Sequence, residues 1–179
     1  MIPLFVATLL FGCCESNDDC RTGKECRPSG VCANCEPLTL CLPDYNWSGT
    51  TCIPYENGTA LLFGDLQYQG KNDLAIVESM ADDIRSIRGG TPFYAFVQVS
   101  SIPLGHLGFD SIMETGYSTK AHILEDERIA DFYQADEHDF VLIGPEGCEH
   151  GRYTISEYMS NQDIEDVLAA WLESLAHSR

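Results

Sequence analysis

The residues of this chain that are best able to do chemistry are its nine cysteines, because a thiolate can attack a disulfide or bind a metal ion. Cys32 and Cys35 form a C-x-x-C pair, a spacing found in both redox motifs and zinc sites. A redox pair requires a helix that begins at it, whereas a Pro-Ser-Gly turn precedes this pair and Glu36-Pro37 follows it. We interpret Cys32 and Cys35 as structural disulfide cysteines, with a redox pair and a metal site as alternatives.

Seven of the cysteines lie between Cys14 and Cys52, and this density is typical of a protein in an oxidising compartment. The stretch has few large apolar residues, so disulfides must supply the stability that burial cannot. Setting Cys13 aside leaves an even number of disulfide candidates, namely Cys14, Cys20, Cys26, Cys32, Cys35, Cys41, Cys52 and Cys148. We predict a disulfide-rich module over residues 13–42, followed by a linker over residues 43–57.

Cys148 stands apart from the other cysteines, in the second half of the chain, with His150 two residues further on. Such a pair can be half of a metal site or a nucleophile with its base, but nothing supplies a third member. We favour a disulfide to the N-terminal module, with Cys52 as the suggested partner. The remaining histidines that we considered are interpreted as surface or hydrogen-bonded side chains: His106 in a loop, His122 on a strand, and His138 beside three acids.

The sequence predicts no metal site and no cofactor. It contains no Gly-rich phosphate loop, no serine nucleophile elbow and no H-E-x-x-H helix. Lys and Arg number 10 against 28 Asp and Glu, and this balance argues against nucleic acid, whose binding depends on basic side chains. The acidic clusters at residues 125–127 and 136–139 are interpreted as solvated faces, with weak divalent-cation binding as the alternative.

Residues 1–12 are apolar throughout and too short to span a bilayer, which predicts a signal peptide. The tetrad that ends at Cys13 resembles a bacterial lipobox, and this implies that Cys13 is lipidated and anchors the protein to a membrane. The expected location is then the bacterial periplasm or outer membrane. A secreted eukaryotic protein is the alternative, favoured by glycosylation sequons at Asn46 and Asn57.

The body of the chain alternates strands and helices. Residues 59–66 and 93–99 are apolar runs of the kind found in buried strands. Between them, apolar residues recur at helical spacing, and Asp73 is the candidate N-cap. The remaining elements are, in order, a loop at 100–108, a weak helix at 109–117, an extended piece at 121–124, a buried strand at 140–143, an edge strand at 152–155 and a final helix capped by Asn161.

One segment of this body has a more specific pattern. From Phe132-Tyr133 through the apolar run at 140–143 to Gly147, it resembles the segment by which redoxin and TlpA proteins enter the last parallel part of their sheet. The resemblance covers residues 58–176 and implies the thioredoxin-like fold, a three-layer α/β sandwich in the order βαβ, then ββα. We therefore assign residues 58–179 to a thioredoxin-like domain.

The resemblance also implies where catalytic residues would lie. Thioredoxin-like enzymes place C-x-x-C where the first strand runs into its helix, because the helix N-terminus stabilises the thiolate. That position holds Gln67, Tyr68, Gln69 and Gly70, a degenerate redox loop without sulfur. The family's cis-proline aligns with His138 or Asp139. We expect a trans peptide bond there, because a cis bond before a residue other than proline costs about 3–4 kcal/mol.

The functional expectation follows from these absences. We expect no catalytic residue, and a redox-inactive domain that acts as a binding or scaffold element for an unknown protein or peptide partner. The alternative is a thiol-disulfide oxidoreductase that uses Cys32 and Cys35, or Cys148, in place of the missing motif.

Overall fold

The computed structural model describes residues 24–26, 32–34, 41–47, 49–54, 58–99, 104–144 and 147–176. The chain divides into two compact units, residues 1–36 and residues 37–179. In the first unit, strands β1 (Lys24–Cys26) and β2 (Cys32–Asn34) pair antiparallel, with Cys26 opposite Cys32. The predicted signal peptide and Cys13, Cys14, Cys20 and Cys35 lie outside the described residues.

The second unit contains a mixed sheet. Its strands are β3 (Cys41–Asp44), β4 (Gly49–Cys52), β5 (Thr59–Gly64), β6 (Phe93–Gln98), β7 (His122–Leu124), β8 (Asp139–Ile143) and β9 (Glu149–Thr154). In the described part of the chain they form one sheet in the order β4-β3-β7-β6-β5-β8-β9. β5, β6 and β7 run parallel, whereas β8 is antiparallel to both β5 and β9.

The described helices cover both faces of this sheet. They are α1 (Gly70–Arg88), α2 (Gly105–Glu114), α3 (Glu127–Tyr133) and α4 (Asn161–Ala176). Alternate residues of β5 point to opposite faces, so Leu62 packs in a core with α1, α2 and α4, while Phe63 packs in a second core with Ile129 of α3. All six residues of β5 are buried. The predicted three-layer α/β sandwich is confirmed.

The predicted linker is wrong as far as the structure describes it. Residues 41–52 form the β3–β4 hairpin, which extends the sheet beyond β7 and is closed by a disulfide between Cys41 and Cys52. Leu42 and Ile53 of this region are buried in the second core. The region therefore belongs to the domain, and the boundary lies at residues 36–37.

Three further expectations are corrected. α1 begins at Gly70 with Gln69 as its N-cap, so Asp73 lies inside the helix and does not cap it. α2 begins at Gly105, which places His106 in a helix and not in a loop. The run at 140–143 was expected in a parallel part of the sheet, but β8 pairs antiparallel on both sides.

Candidate functional site

The end of β5 is joined to α1 by a tight turn that a buried carboxyl group organises. Asp65, 6% exposed, follows β5, and its Oδ1 accepts hydrogen bonds from the Gln98 side chain (3.0 Å) and the Gln67 backbone (2.8 Å). Its backbone oxygen accepts from the N–H groups of Tyr68 and Gly70, each at 3.1 Å. The turn therefore delivers the chain into the first turn of α1. We call this junction of β5 and α1 the mouth.

Residues 67–70, which the sequence analysis compared with the redox loop of thioredoxin-like enzymes, lie at the mouth between β5 and the first turn of α1. Gln67, Tyr68 and Gln69 are exposed and Gly70 is buried as the first residue of α1. No cysteine occurs between residues 53 and 147. A helix N-terminus that could stabilise a thiolate is present, but residues 53–147 contain no thiol.

The cysteines whose positions are described within the domain lie away from the mouth. Cys41 and Cys52 are on the β3–β4 hairpin, which β6 and β7 separate from β5. Cys148 follows β8, whose last residue pairs with Thr59 at the opposite end of β5, roughly 17 Å from the mouth at about 3.3 Å per residue. Cys148 is disulfide-bonded, and because Cys52 is bonded to Cys41, the suggested Cys148–Cys52 pairing is wrong.

His138 lies at the mouth, directly before β8. Its φ of 73° lies in the left-handed region, a backbone conformation that residues other than Gly rarely adopt. The backbone is held there from both sides, because its N–H donates to Phe63 O (2.8 Å) and its C=O accepts from Ile155 N (2.9 Å). No cis peptide bond occurs among the described residues, which agrees with the trans bond expected at His138 and Asp139.

The side chain of His138 is paired with the first turn of α1. Its Nδ1 lies 2.6 Å from Asp73 Oδ2, with side chains 29% and 3% exposed respectively. An ionised carboxylate can only accept, so Nδ1 donates and Nε2 is the nitrogen left for another partner. Burial raises the pKa of Asp73; the hydrogen bond and charge of His138 oppose that rise but do not cancel it. The sequence analysis missed this pair, because only the fold brings together residues 65 positions apart.

Asp139, the other candidate for the cis-proline position, has a structural role. Its Oδ2 accepts hydrogen bonds from Arg152 Nη1 (3.1 Å) and from the backbone of Asp136 (3.0 Å). Arg152 also donates to the backbone oxygens of Tyr133 and Gln134, and so it fixes the end of α3 to β8 and β9. Asp139 is therefore part of the scaffold that positions His138.

A third segment approaches the mouth from the turn before α4. The Asn72 side chain donates to Glu157 Oε2 at 3.3 Å, which brings this turn against the first turn of α1. Tyr158, next to Glu157 in the chain, is 85% exposed, and Tyr68, in the turn before α1, is 76% exposed. Hydrogen bonding to Glu157 raises the pKa of Tyr158. The segments that contact the first turn of α1 thus carry two exposed tyrosines, Tyr68 and Tyr158, and the acidic residue Glu157.

A second histidine–aspartate pair is structural. Asp44, 3% exposed, accepts from His122 Nδ1 (2.6 Å), Thr51 Oγ1 (2.8 Å) and the backbone N–H groups of Asn46, Trp47 and Ile123. Burial alone would raise the pKa of Asp44, but these hydrogen bonds together lower it. The His122 ring stacks on Phe93 at 4.8 Å. This cluster attaches the β3–β4 hairpin to β7.

The sequon at Asn46 also has a structural use. The Asn46 side-chain nitrogen donates to the backbone oxygens of Thr119 (2.9 Å) and Ala121 (2.8 Å). Glycosylation would modify that nitrogen, so the folded domain needs the asparagine for a reason unrelated to sugar. The sequon therefore gives little support to a eukaryotic origin, and Asn57 lies outside the described residues.

The acidic clusters are largely used within the domain. Glu125 accepts from the backbone of Leu104 and Gly105 at the start of α2 and from the Tyr45 hydroxyl. Asp126 caps α3 and pairs with Arg128. Within the described ranges, no three His, Cys, Asp or Glu side chains are grouped so that they could hold a metal ion. The helices described there include none that is long and apolar enough to cross a membrane.

Comparison with known proteins identifies the fold of the domain. No protein-family model and no curated protein sequence matches the chain. Solved structures do match, among them copper-bound ScoI of Arabidopsis thaliana, with 13% sequence identity and a TM-score of 0.59 over 78% of this chain and 98% of that one. A putative thiol:disulfide interchange protein DsbE of Chlorobium tepidum matches with 12% identity and a TM-score of 0.57, over 78% and 95% of the two chains.

A third similar structure is the exposed lipoprotein thioredoxin Etrx1 of Streptococcus pneumoniae, with 14% identity and a TM-score of 0.52 over 74% of this chain and 98% of that one. Identities this low show the fold alone. The domain therefore has the thioredoxin-like fold, as the sequence predicted. Its similarity to these proteins spans nearly their whole length.

Proposed function

We propose that this protein is an exported, lipid-anchored binding protein whose thioredoxin-like domain holds a protein or peptide partner at the mouth without thiol chemistry. The observation that carries the proposal is that residues other than cysteine occupy the mouth. Where a redox enzyme needs sulfur at the start of α1, this chain has Gln67–Gly70 and, just inside the helix, Asp73 bonded to His138. A buried carboxylate paired with an imidazole fixes the loop before β8 but cannot exchange disulfides.

The second candidate is a thiol-disulfide oxidoreductase, which the resemblance to a putative thiol:disulfide interchange protein favours. Its cysteines would be Cys32 and Cys35, or Cys148. Cys32 begins strand β2 and is not at a helix N-terminus, so its thiolate lacks the stabilisation that such enzymes use. Cys148 is disulfide-bonded and 6% exposed. Both observations rank this candidate below the first.

Insulin reduction in the presence of dithiothreitol separates the two candidates. We expect the native protein to give no turnover above the uncatalysed rate. The double variant Gln69→Cys/Asn72→Cys should gain turnover, because it places two thiols at the N-terminus of α1, where the helix dipole lowers a thiol pKa.

The matched control is Asp83→Cys/Ser86→Cys, which puts the same spacing on exposed positions near the opposite end of α1. It should stay inactive, because a helix C-terminus disfavours a thiolate. Turnover by the native protein that is lost in Cys32→Ser or Cys148→Ser would contradict the proposed function and establish the oxidoreductase.

The lipid anchor is tested by the mass of the mature protein. The proposal rests on the lipobox-like residues before Cys13, and a similar structure is an exposed lipoprotein. Produced in a bacterium with lipoprotein processing, the mature chain should begin at Cys13 and carry a diacylglyceryl group, and Cys13→Ser should abolish both the lipid and membrane recovery. An unmodified N-terminus at another residue would exclude the anchor.

A further inference from the structure

Three segments contact the first turn of α1, each through a direct hydrogen bond. The turn at 66–69 is tied to α1 through the Asp65 backbone oxygen. His138 reaches α1 through Asp73 at 2.6 Å, and Glu157 reaches it through Asn72 at 3.3 Å. We call the outward-facing side chains of these segments, Tyr68, His138, Glu157 and Tyr158, the rim. The rim belongs to the segments that contact the first turn of α1, where the proposed function places the partner.

The two rim tyrosines are unusual for their exposure. Tyr68 is 76% exposed and Tyr158 is 85% exposed, whereas the other large apolar side chains exposed in the described residues, Trp47 and Ile87, lie elsewhere at 54% and 64%. Tyrosine combines an apolar ring with a polar hydroxyl and is enriched at interfaces for this reason. Its ring face also attracts a cation held within about 6 Å. The pair therefore suits a partner with long, positively charged side chains.

The charges at the rim select the same sign of partner. Glu157 precedes Tyr158 and accepts a hydrogen bond from Asn72 of α1, Asp73 is paired with His138, and Glu137 precedes His138 in the chain and is exposed. Lys71, the basic residue in the same helical turn, is directed to the ring of Tyr117, 5.7 Å from its centroid. Acidic groups beside exposed rings bind arginine or lysine through ion pairs and cation–π contacts together.

We infer that the rim binds a basic, extended segment of the partner protein, with arginine or lysine side chains lying across Tyr68 and Tyr158 and pairing with Glu157. The inference rests on the proposed function, since it names the chemistry of the partner that the mouth holds. An acidic or neutral segment would forgo both the ion pair and the cation–π contacts. Specificity then resides in the partner's charge and not in a reactive sulfur.

The test uses synthetic peptides of alternating glycine and arginine, with glycine–glutamate and glycine–glutamine peptides of equal length for comparison. Titration of the full mature chain, followed by NMR, should shift the resonances of Tyr68, His138, Glu157 and Tyr158 with the arginine peptide alone. The double variant Tyr68→Ala/Tyr158→Ala should weaken binding about tenfold, from a few-fold for each cation–π contact. Ile87→Ala, an exposed apolar residue near the far end of α1, should leave it within about twofold.

A chain with a net charge of −18 attracts cations over its whole surface. Two variants with the same change in charge therefore separate binding at the rim from this general attraction. Glu157→Gln and Asp83→Asn each remove one exposed carboxylate, and only Glu157→Gln should weaken binding beyond the general electrostatic effect. Equal losses in the two variants, resonance shifts spread over the surface, or equal binding of the three peptides would each overturn the inference. These outcomes test the inference alone. The proposed function is tested separately by insulin reduction.

Discussion

Asp44→Ala is expected to lower the free energy of unfolding by about 3–5 kcal/mol, because it removes a buried carboxylate that accepts several hydrogen bonds. The substitution leaves five donors without their acceptor: the side chains of Thr51 and His122 and the N–H groups of Asn46, Trp47 and Ile123. Each buried donor left unsatisfied costs about 1–3 kcal/mol where water cannot replace the carboxylate. Chemical denaturation followed by circular dichroism measures the loss.

The pH dependence of stability provides an independent check on the same carboxylate. Because the pKa of Asp44 is lowered from 3.8 in the folded state, its contribution is complete above that pH and is lost as the pH falls through the folded-state pKa. Asp44→Asn should therefore lose less stability than the native protein on acidification below pH 4. Asp83→Ala, at an exposed position, should match the native protein. A loss below about 1 kcal/mol for Asp44→Ala would show that the hairpin is held by other contacts.

The sequence predicts best the strands that are buried on both faces of the sheet and the helices whose buried residues recur at helical spacing. β5, β6 and β8 are apolar runs because helices cover the sheet on both faces, and α4 has the apolar stripe of a helix packed on one side. The β3–β4 hairpin has neither signal: Pro43, Trp47 and Gly49 give it the composition of a loop. It becomes a hairpin through Asp44, whose partners Ile123 and His122 are almost 80 positions away.

The candidate site shows the same limit at the level of side chains. The position of the mouth, and the absence of cysteine from it, could be predicted because both depend on the order of elements along the chain. The Asp73–His138 pair could not, since Asp73 has the residue type of an N-cap and His138 that of a surface histidine. Asp73 is buried because α1 starts four residues earlier than expected, with Gln69 and not Asp73 as its N-cap, which turns the Asp73 side chain towards His138. At that start, the N–H of Gly70 donates to the Asp65 backbone oxygen.

Gly70→Ala should destabilise the domain by about 1–3 kcal/mol, the usual cost of overpacking a rigid site. A Cβ at this position would lie 2.7 Å from the Asp65 carbonyl oxygen and 2.8 Å from Phe96 Cζ. The Asp65 carbonyl cannot retreat without loss, because it accepts hydrogen bonds from Tyr68 and Gly70 that form the turn into α1. Displacing it would move the turn that carries Tyr68 and the helix start that positions Asp73. Thermal and chemical denaturation measure the destabilisation.

Gly108→Ala is the control, because Gly108 is also a helical glycine, and alanine improves helix propensity there by up to about 1 kcal/mol. A Cβ there would meet the end of the flexible Leu104 side chain at 3.3 Å, where a small shift relieves the contact. Gly108→Ala should therefore be neutral or stabilising. If the two variants had equal stability, the contact between the start of α1 and Asp65 would be looser than the structure shows. The position of Asp73 beneath His138, on which the binding surface at the mouth depends, would then need another cause.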